Sequence, residues 1–194
     1  MGLTHLKAAD HRVMPWKNGL GSTTEIAVFP PGASVEDFGW RVSAADVAAD
    51  GPFSAFPGID RTLSILDGDG LTLFVGNAEG RVLRQDTAPF AFPADVPTSA
   101  DLVDGPITDL NVMTRRGVWR HAVERVIVED VREIEGSAAA TLIYSRGAAV
   151  CLSGPGSEIL MQMGDAVLLE GTDHWTVSAA KPATLFIVSI NPAA

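Results

Sequence analysis

The sequence predicts an all-β chain of many short strands, arranged as sandwiches or barrels. Three observations support this. Gly, Pro, Asn, Asp and Ser punctuate the chain at short intervals. Between them lie runs of four to seven residues rich in Val, Ile, Leu, Phe and Thr. Helical periodicity is poor throughout, so the apolar residues have no single helix face to share. Short β-rich runs between regular turn signals are the pattern of such all-β folds.

The strands can be placed in order. Residues 25–29 read as a strand that ends at Pro30-Pro31-Gly32, and residues 40–44 as one that follows Phe38-Gly39. Residues 63–66 and 71–75 flank Asp67-Gly68-Asp69-Gly70, which reads as the clearest hairpin because Asp-Gly supplies the positive φ of tight turns. Residues 81–83, 90–92 and 107–113 complete a first half. Residues 93–106, with their Pro and Asp, read as a long loop.

A second half begins near Arg120, with strands at residues 126–128, 141–144 and 148–152, the last two joined by Ser145-Arg146-Gly147. Further strands fall at residues 158–161, 166–169, 175–177 and 184–190. Residues 129–140, charged and then small, read as the connector. The halves echo each other loosely: each has a hairpin, a loop, and strands leading to a late polar position.

Composition narrows the function. Among 194 residues, 46% are apolar and 20% charged, enough for a normal core and unlike a disordered chain. The net charge of −10 disfavours nucleic acid and anionic membrane as partners. The single cysteine, Cys151, excludes an internal disulfide and fits a reducing compartment; its apolar surroundings read as a buried strand. The N-terminal residues lack an apolar signal segment, and no apolar run approaches the roughly 20 residues of a spanning helix. A soluble, cytoplasmic protein is expected.

Four segments carry polar residues in suggestive patterns. The first is Met14-Pro15-Trp16-Lys17-Asn18-Gly19-Leu20-Gly21-Ser22-Thr23-Thr24-Glu25. Its glycines permit close backbone approach, and Lys17 and Asn18 suit a carboxylate or carbonyl. The plain alternative is a turn closed by a buried Trp. The second is Trp40-Arg41-Val42-Ser43, where strand alternation puts Arg41 and Ser43 on one face. The third is Asp60-Arg61, with Asp60 also free to pair with a neighbouring Arg. In the fourth, residues 109–116, Asp109, Asn111 and Met113 share a face opposite Leu110 and Val112. A polar strand face usually meets solvent; in a barrel it lines the cavity. Arg41, Arg61 and Arg115 together would make a positive pocket, since the guanidinium fork suits carboxylates. Ordinary surface ion pairs are the alternative for each.

The four histidines, His5, His11, His121 and His174, form neither HxH nor HxxxH, so no metal is expected. A GxSxG elbow is absent too.

In order and spacing these segments resemble the HutD/Ves family. The resemblance is carried by Met14-Pro15-Trp16-Lys17-Asn18-Gly19 with Thr23 and Glu25-Ile26-Ala27, then Trp40-Arg41-Val42-Ser43 and Asp50-Gly51-Pro52-Phe53-Ser54. It continues through Phe56-Pro57-Gly58-Ile59-Asp60-Arg61, Gly105-Pro106 and Asp109-Leu110-Asn111-Val112-Met113. It is specific over residues 14–117 and rests on general pattern beyond. Leu20 departs from the family's Asn-Gly-Gly-Gly run, and would be strained if that position needed positive φ.

The resemblance implies an RmlC-like double cupin: an N-terminal module over residues 1–118 and a C-terminal module over 119–194, packed as one compact unit. It implies no cofactor and no metal histidines. Family members are associated with histidine utilisation. They are thought to bind a pathway intermediate such as urocanate or formylglutamate and to restrain its induction. The implied ligand residues are Trp16, Lys17, Asn18, Thr23, Glu25, Arg41, Ser43, Arg61, Asp109 and Asn111. Lys17 or Arg61 would grip a small carboxylate ligand, Trp16 would cover its apolar part, and Asn18 and Asn111 would orient it. Arg61→Ala is then expected to lose binding with the fold intact. The alternative is a metal-free cupin enzyme, an isomerase or hydrolase of a small organic acid, with Glu25 and Asp109 as acid and base. A third reading is a structural or interaction module. By analogy with other cupins, a homodimer is the expected oligomer.

Overall fold

The computed structural model describes residues 2–16, 19–136 and 138–194. The strands of the first part are β1 (Gly2–Leu6), β2 (Arg12–Pro15), β3 (Gly21–Phe29), β4 (Trp40–Val47), β5 (Gly51–Pro52), β6 (Ile59–Asp67), β7 (Leu71–Val75), β8 (Arg81–Leu83), β9 (Phe90–Pro93), β10 (Thr98–Leu102) and β11 (Ile107–Arg115). Then follow β12 (Trp119–Val128), β13 (Val131–Glu135), β14 (Ala140–Gly147), β15 (Val150–Gly154), β16 (Ser157–Met161), β17 (Ala166–Glu170), β18 (His174–Ala179) and β19 (Ala183–Pro192). Among the described residues, helix is confined to a 3-10 turn at Ala8–Asp10, and no helix is long and apolar enough to cross a membrane.

The chain divides into two units, one over residues 12–120 and one over residues 121–192 joined by the segment up to His11. The first unit has a six-stranded sheet, β2-β3-β4-β11-β6-β9, and a four-stranded sheet, β5-β10-β7-β8. The second has a five-stranded sheet, β1-β17-β14-β19-β12, and a four-stranded sheet, β13-β18-β15-β16. Adding eight to each strand number converts β4-β11-β6-β9 into β12-β19-β14-β17, and β5-β10-β7-β8 into β13-β18-β15-β16. The loose echo in the sequence is thus a repeat of eight strands in identical order. The fold is a double cupin, with antiparallel pairing from β2–β3 to β15–β18 among the described residues.

Alternation builds both cores. On β7, Leu71 and Leu73 are buried and Thr72 between them is not; on β15, Val150 and Leu152 are buried. The same alternation corrects the expectation for Cys151, which lies on this strand but on its outer side and is partly exposed. The second unit fills its interior with apolar side chains, among them Val126 and Val128 of β12, Ile143 of β14, and Leu185 and Ile187 of β19. In the first unit the equivalent strands, β4, β6 and β11, bury Arg41, Ser43, Arg61, Asp109 and Asn111. One architecture is thus a closed core in the second unit and carries a polar interior in the first.

Three sequence expectations change. The Asp67-Gly68-Asp69-Gly70 turn does not close a hairpin: β6 pairs with β11 and β9, β7 with β10 and β8. It carries the chain from one sheet to the other. Gly68 and Gly70 do have positive φ, 85° and 99°, and a Cβ at Gly70 would lie 2.1 Å from the Leu83 carbonyl oxygen. Turn chemistry reports the φ, not which sheet receives the next strand. Ser145-Arg146-Gly147 is the same kind of corner, between β14 and β15. Residues 93–106 and 129–140, read as loop and connector, contain the strands β10 and β13. Finally, β1 pairs with β17 from Gly2↔Glu170 to Leu6↔Ala166, so the first residues join the C-terminal unit rather than the N-terminal module. Asp165 secures this return, accepting hydrogen bonds from the Ala8 amide at 2.8 Å, the Gln162 amide at 2.9 Å and His5 Nε2 at 3.0 Å. Burial raises the Asp165 carboxyl, but these donors outweigh it and hold the group below its ordinary value.

Candidate functional site

The polar interior of the first unit is built from four neighbouring strands. The register sets Thr23 beside Ala45 and Ala45 beside Asp109; Glu25 beside Ser43 and Ser43 beside Asn111; and Arg41 beside Met113, itself beside Arg61. Because side chains alternate along a strand, these positions point to one side of the sheet. Trp40, Val42, Leu110 and Val112 occupy the other side and are also buried. Both faces of β4 and β11 are therefore withdrawn from bulk water, and the polar face lines an open cavity of about 430 Å³.

Trp16 and Thr23 line the cavity at one side, Arg41 and Ser43 on β4, and Arg61, Asp109 and Asn111 on β6 and β11. Glu25 is not among the lining residues. Its Oε2 accepts from Arg41 Nε at 2.8 Å, holding that side chain in place. Lys17 and Asn18 lie outside the described residues. Arg115 is not brought to the pocket: at the end of β11 it donates instead to the carbonyls of Phe38 at 3.1 Å and Glu36 at 2.9 Å. Asp60 pairs on the surface with Arg116, Oδ1 to Nε, at 2.8 Å.

The glycine-rich segment works differently from expectation. Gly21 sits where a Cβ would come within 2.2 Å of the Asp46 carbonyl and 2.9 Å of the Trp16 ring. Its bareness lets the indole pack across β3, rather than letting backbone reach a ligand. Trp16 Nε1 donates to Thr23 Oγ1 at 2.8 Å, which fixes the ring as a wall. Leu20 is not strained: no described residue other than glycine has positive φ, and its side chain joins the cavity lining.

The floor is one directed chain of hydrogen bonds. Arg61 donates from Nε to Asn111 Oδ1 at 2.8 Å and from Nη2 to the same oxygen. Asn111 Nδ2 donates to Asp109 Oδ1 at 2.5 Å. The Arg61 guanidinium lies 4.5 Å from the Phe53 ring centroid and 5.7 Å from that of Phe92, a stacked geometry that favours a desolvated cation. Asp109 is 0% exposed and Arg61 5%. Burial pushes Asp109 up to about 6, against the pull of Arg61 and Asn111, and Asp46 adds to the rise. Burial likewise brings Arg61 down to about 10, with Asp109 opposing and Arg41 assisting. Both groups thus remain charged at neutral pH at a desolvation cost.

Arg41 is 5% exposed and commits only Nε to Glu25, leaving its two Nη groups without an acceptor among the described residues. A guanidinium with two free donors at a cavity wall is suited to a carboxylate. Among the described residues no cluster of three or more His, Cys, Asp or Glu is placed to hold a metal. Sequence reasoning missed the loop residues Asp50, Phe53 and Phe56, which also line the cavity. The Asp50–Ser54 run was visible as a motif, but loop residues have no alternation to show which way they face.

The comparisons with known proteins identify the family. The HutD family model matches residues 8–187. The chain belongs to the HutD family. Over 170 residues, 87% of both chains, it is 34% identical to an uncharacterised 21.2 kDa protein in the hutC 3' region of Pseudomonas putida. The solved structure of a conserved protein of unknown function from Pseudomonas aeruginosa PAO1 aligns with a TM-score of 0.92 at 35% identity, covering 98% of this HutD-family chain and 100% of that one. HutD from Pseudomonas fluorescens SBW25, described in a formate condition, aligns with a TM-score of 0.83 at 29% identity over 100% of each chain. At the level of fold alone the likeness extends to AerE from Microcystis aeruginosa, with a TM-score of 0.70 at 7% identity, covering 93% and 96%.

Proposed function

We propose that this HutD-family protein is a metal-free small-molecule binder. Its N-terminal cavity takes a carboxylate intermediate of histidine degradation, of the urocanate or formylglutamate type, and occupancy modulates histidine utilisation. The observation that carries this reading is Arg41, buried at the cavity wall with two Nη groups that have no acceptor among the described residues. The cavity's size, about 430 Å³, falls within the range of small-ligand sites. Trp16, Phe53 and Leu20 offer apolar cover for the rest of a small acid. The names HutD and hutC supply the link to histidine utilisation.

One observation favours a second reading, a metal-free isomerase or hydrolase of a small organic acid. Asp109 has a carboxyl pushed up to about 6 and lines the cavity, the setting of a general acid or base. Glu25 is less suited to be its partner, being held by Arg41 and outside the lining.

Calorimetric titration of the EDTA-treated protein with urocanate, formylglutamate, formiminoglutamate and histidine separates the readings when the mixtures are then chromatographed. Saturable binding of an acid that is recovered unchanged is the expected outcome. A consumed ligand establishes the enzyme reading, and silence across all four removes the proposal.

A further inference from the structure

The floor of the cavity makes a demand of its own on any ligand. A guanidinium only donates, so Asn111 must turn Oδ1 toward Arg61 and Nδ2 toward Asp109. The chain of hydrogen bonds therefore runs one way, from Arg61 through Asn111, and ends on an acceptor. Asp109 Oδ1 is satisfied by it. Asp109 is one of the residues that line the cavity, and its Oδ2 is buried and has no hydrogen-bond partner among the described residues. Its neighbours across the sheet are Ala45 and Ile65, and neither has a side-chain donor. Arg61 directs its Nε and Nη2 to Asn111. Arg41, whose charge also acts on Arg61, is turned by Glu25.

We propose that Asp109 is a specificity-determining residue that accepts a hydrogen bond from an N–H group of the ligand. The cavity then selects carboxylates that also carry an N–H donor, such as an imidazole ring or a secondary amide, over equally shaped carboxylates that lack one. The inference rests on the carboxylate-binding reading above and sharpens it. Its physical basis is the cost of an unpaired buried acceptor. A ligand N–H relieves that cost, whereas a C–H leaves it and an oxygen lone pair adds repulsion. The carboxyl, with burial holding it at about 6, is ionised at neutral pH and so has no proton of its own to offer in place of the ligand's. Sites built around such a polar group reject the analogue lacking its partner far more strongly than apolar pockets reject a missing methylene.

The test compares urocanate with furylacrylate at about pH 7.5. Furylacrylate keeps the acrylate carboxylate and places a furan where urocanate has imidazole. The wild-type protein is expected to prefer urocanate by about tenfold or more. In Asp109→Asn, Asn111 still claims the side-chain oxygen at position 109, so an NH2 group faces the cavity where an acceptor stood. The preference is then expected to fall to about twofold or less, with furylacrylate bound at least as well as by wild type. Equal binding of the two acids by wild type overturns the inference while leaving the carboxylate site standing. So does a preference that survives in a folded Asp109→Asn. Binding of neither acid by wild type overturns both. The wild-type comparison decides the matter even where the variant does not fold.

Discussion

Arg61→Ala is expected to lower the melting temperature by on the order of 10 °C near pH 8, as well as to abolish ligand binding. The sequence alone suggests a variant that keeps its fold. The structure adds a cost in stability, because Arg61 is buried against Phe53 and Phe92 and is the origin of the hydrogen-bond chain to Asn111 and Asp109. Removing it leaves the buried Asp109 carboxylate without the charge that offsets its burial. Leaving a buried charge uncompensated in this way costs about 3–5 kcal/mol, and each kcal/mol shifts the midpoint of a chain of this size by about 2–4 °C.

The loss should depend on pH. Asp109 has a folded value of about 6, above its ordinary 3.8. A carboxyl raised on folding destabilises the native state most above its folded value. The penalty shrinks as pH falls through about 6 and vanishes below the ordinary carboxylate range, because the native state then binds the proton the unfolded state does not. Loss of Arg61 raises Asp109 further, so the damage is greatest when the carboxyl must be ionised. Thermal melts at pH 5 and pH 8 check this. A smaller difference between wild type and Arg61→Ala is expected at pH 5; an equal or larger difference there overturns this role for Asp109.

Arg41→Lys is expected to weaken carboxylate binding by about 10–100-fold with a change of only a few degrees in melting temperature. Lysine retains the charge but loses the planar fork, and it cannot bond Glu25 through one nitrogen while presenting two more to a ligand. At 17% exposure Glu25 is nearer to water than Asp109, so the weakened pair costs the fold less than the loss of Arg61. Calorimetry with urocanate or formylglutamate reads the affinity and a melt reads the fold. Unchanged affinity would take Arg41 out of the site and leave the reading without its anchor.

The contrast between the two arginines shows what the sequence could disclose. Period-2 alternation on Trp40-Arg41-Val42-Ser43 and on residues 109–113 grouped the polar residues on one face, and four of them, Arg41, Ser43, Asp109 and Asn111, line the cavity. Alternation names a face but not what lies against it, so solvent face and cavity wall remained open until the strands were paired. It also could not separate Arg41, with donors to spare, from Arg61, whose donors go to Asn111. Glu25 shared the pattern, yet the register shift between Glu25 and Ala27 accompanies its use as a brace rather than as lining. Arg115 failed for another reason: at a strand end, nearby free carbonyls decide direction more than alternation does.

For the fold, strong apolar runs such as residues 71–75 and 141–144 were legible, and the weak strands were not. β10, Thr98–Leu102, mixes Ser and Asp with its apolar residues and follows a Pro-rich stretch; it is a strand because β7 pairs with all five of its residues. β13, Val131–Glu135, is rich in charge and is held by β18 in the same manner. Pairing partners distant in sequence supply what local preference lacks. The eight-strand repeat was faint for a related reason. The two units keep the strand order while one fills with Val, Ile and Leu the positions where the other places Arg, Asn and Asp.

In the proposed function, the cavity of the first unit holds a carboxylate on Arg41. A crystal structure of the protein grown with urocanate tests this most directly. The carboxylate is expected within hydrogen-bond distance of Arg41 Nη1 and Nη2, the ring beside Trp16 and an N–H directed at Asp109 Oδ2. Urocanate bound elsewhere on the chain, with Arg41 left untouched, would contradict it.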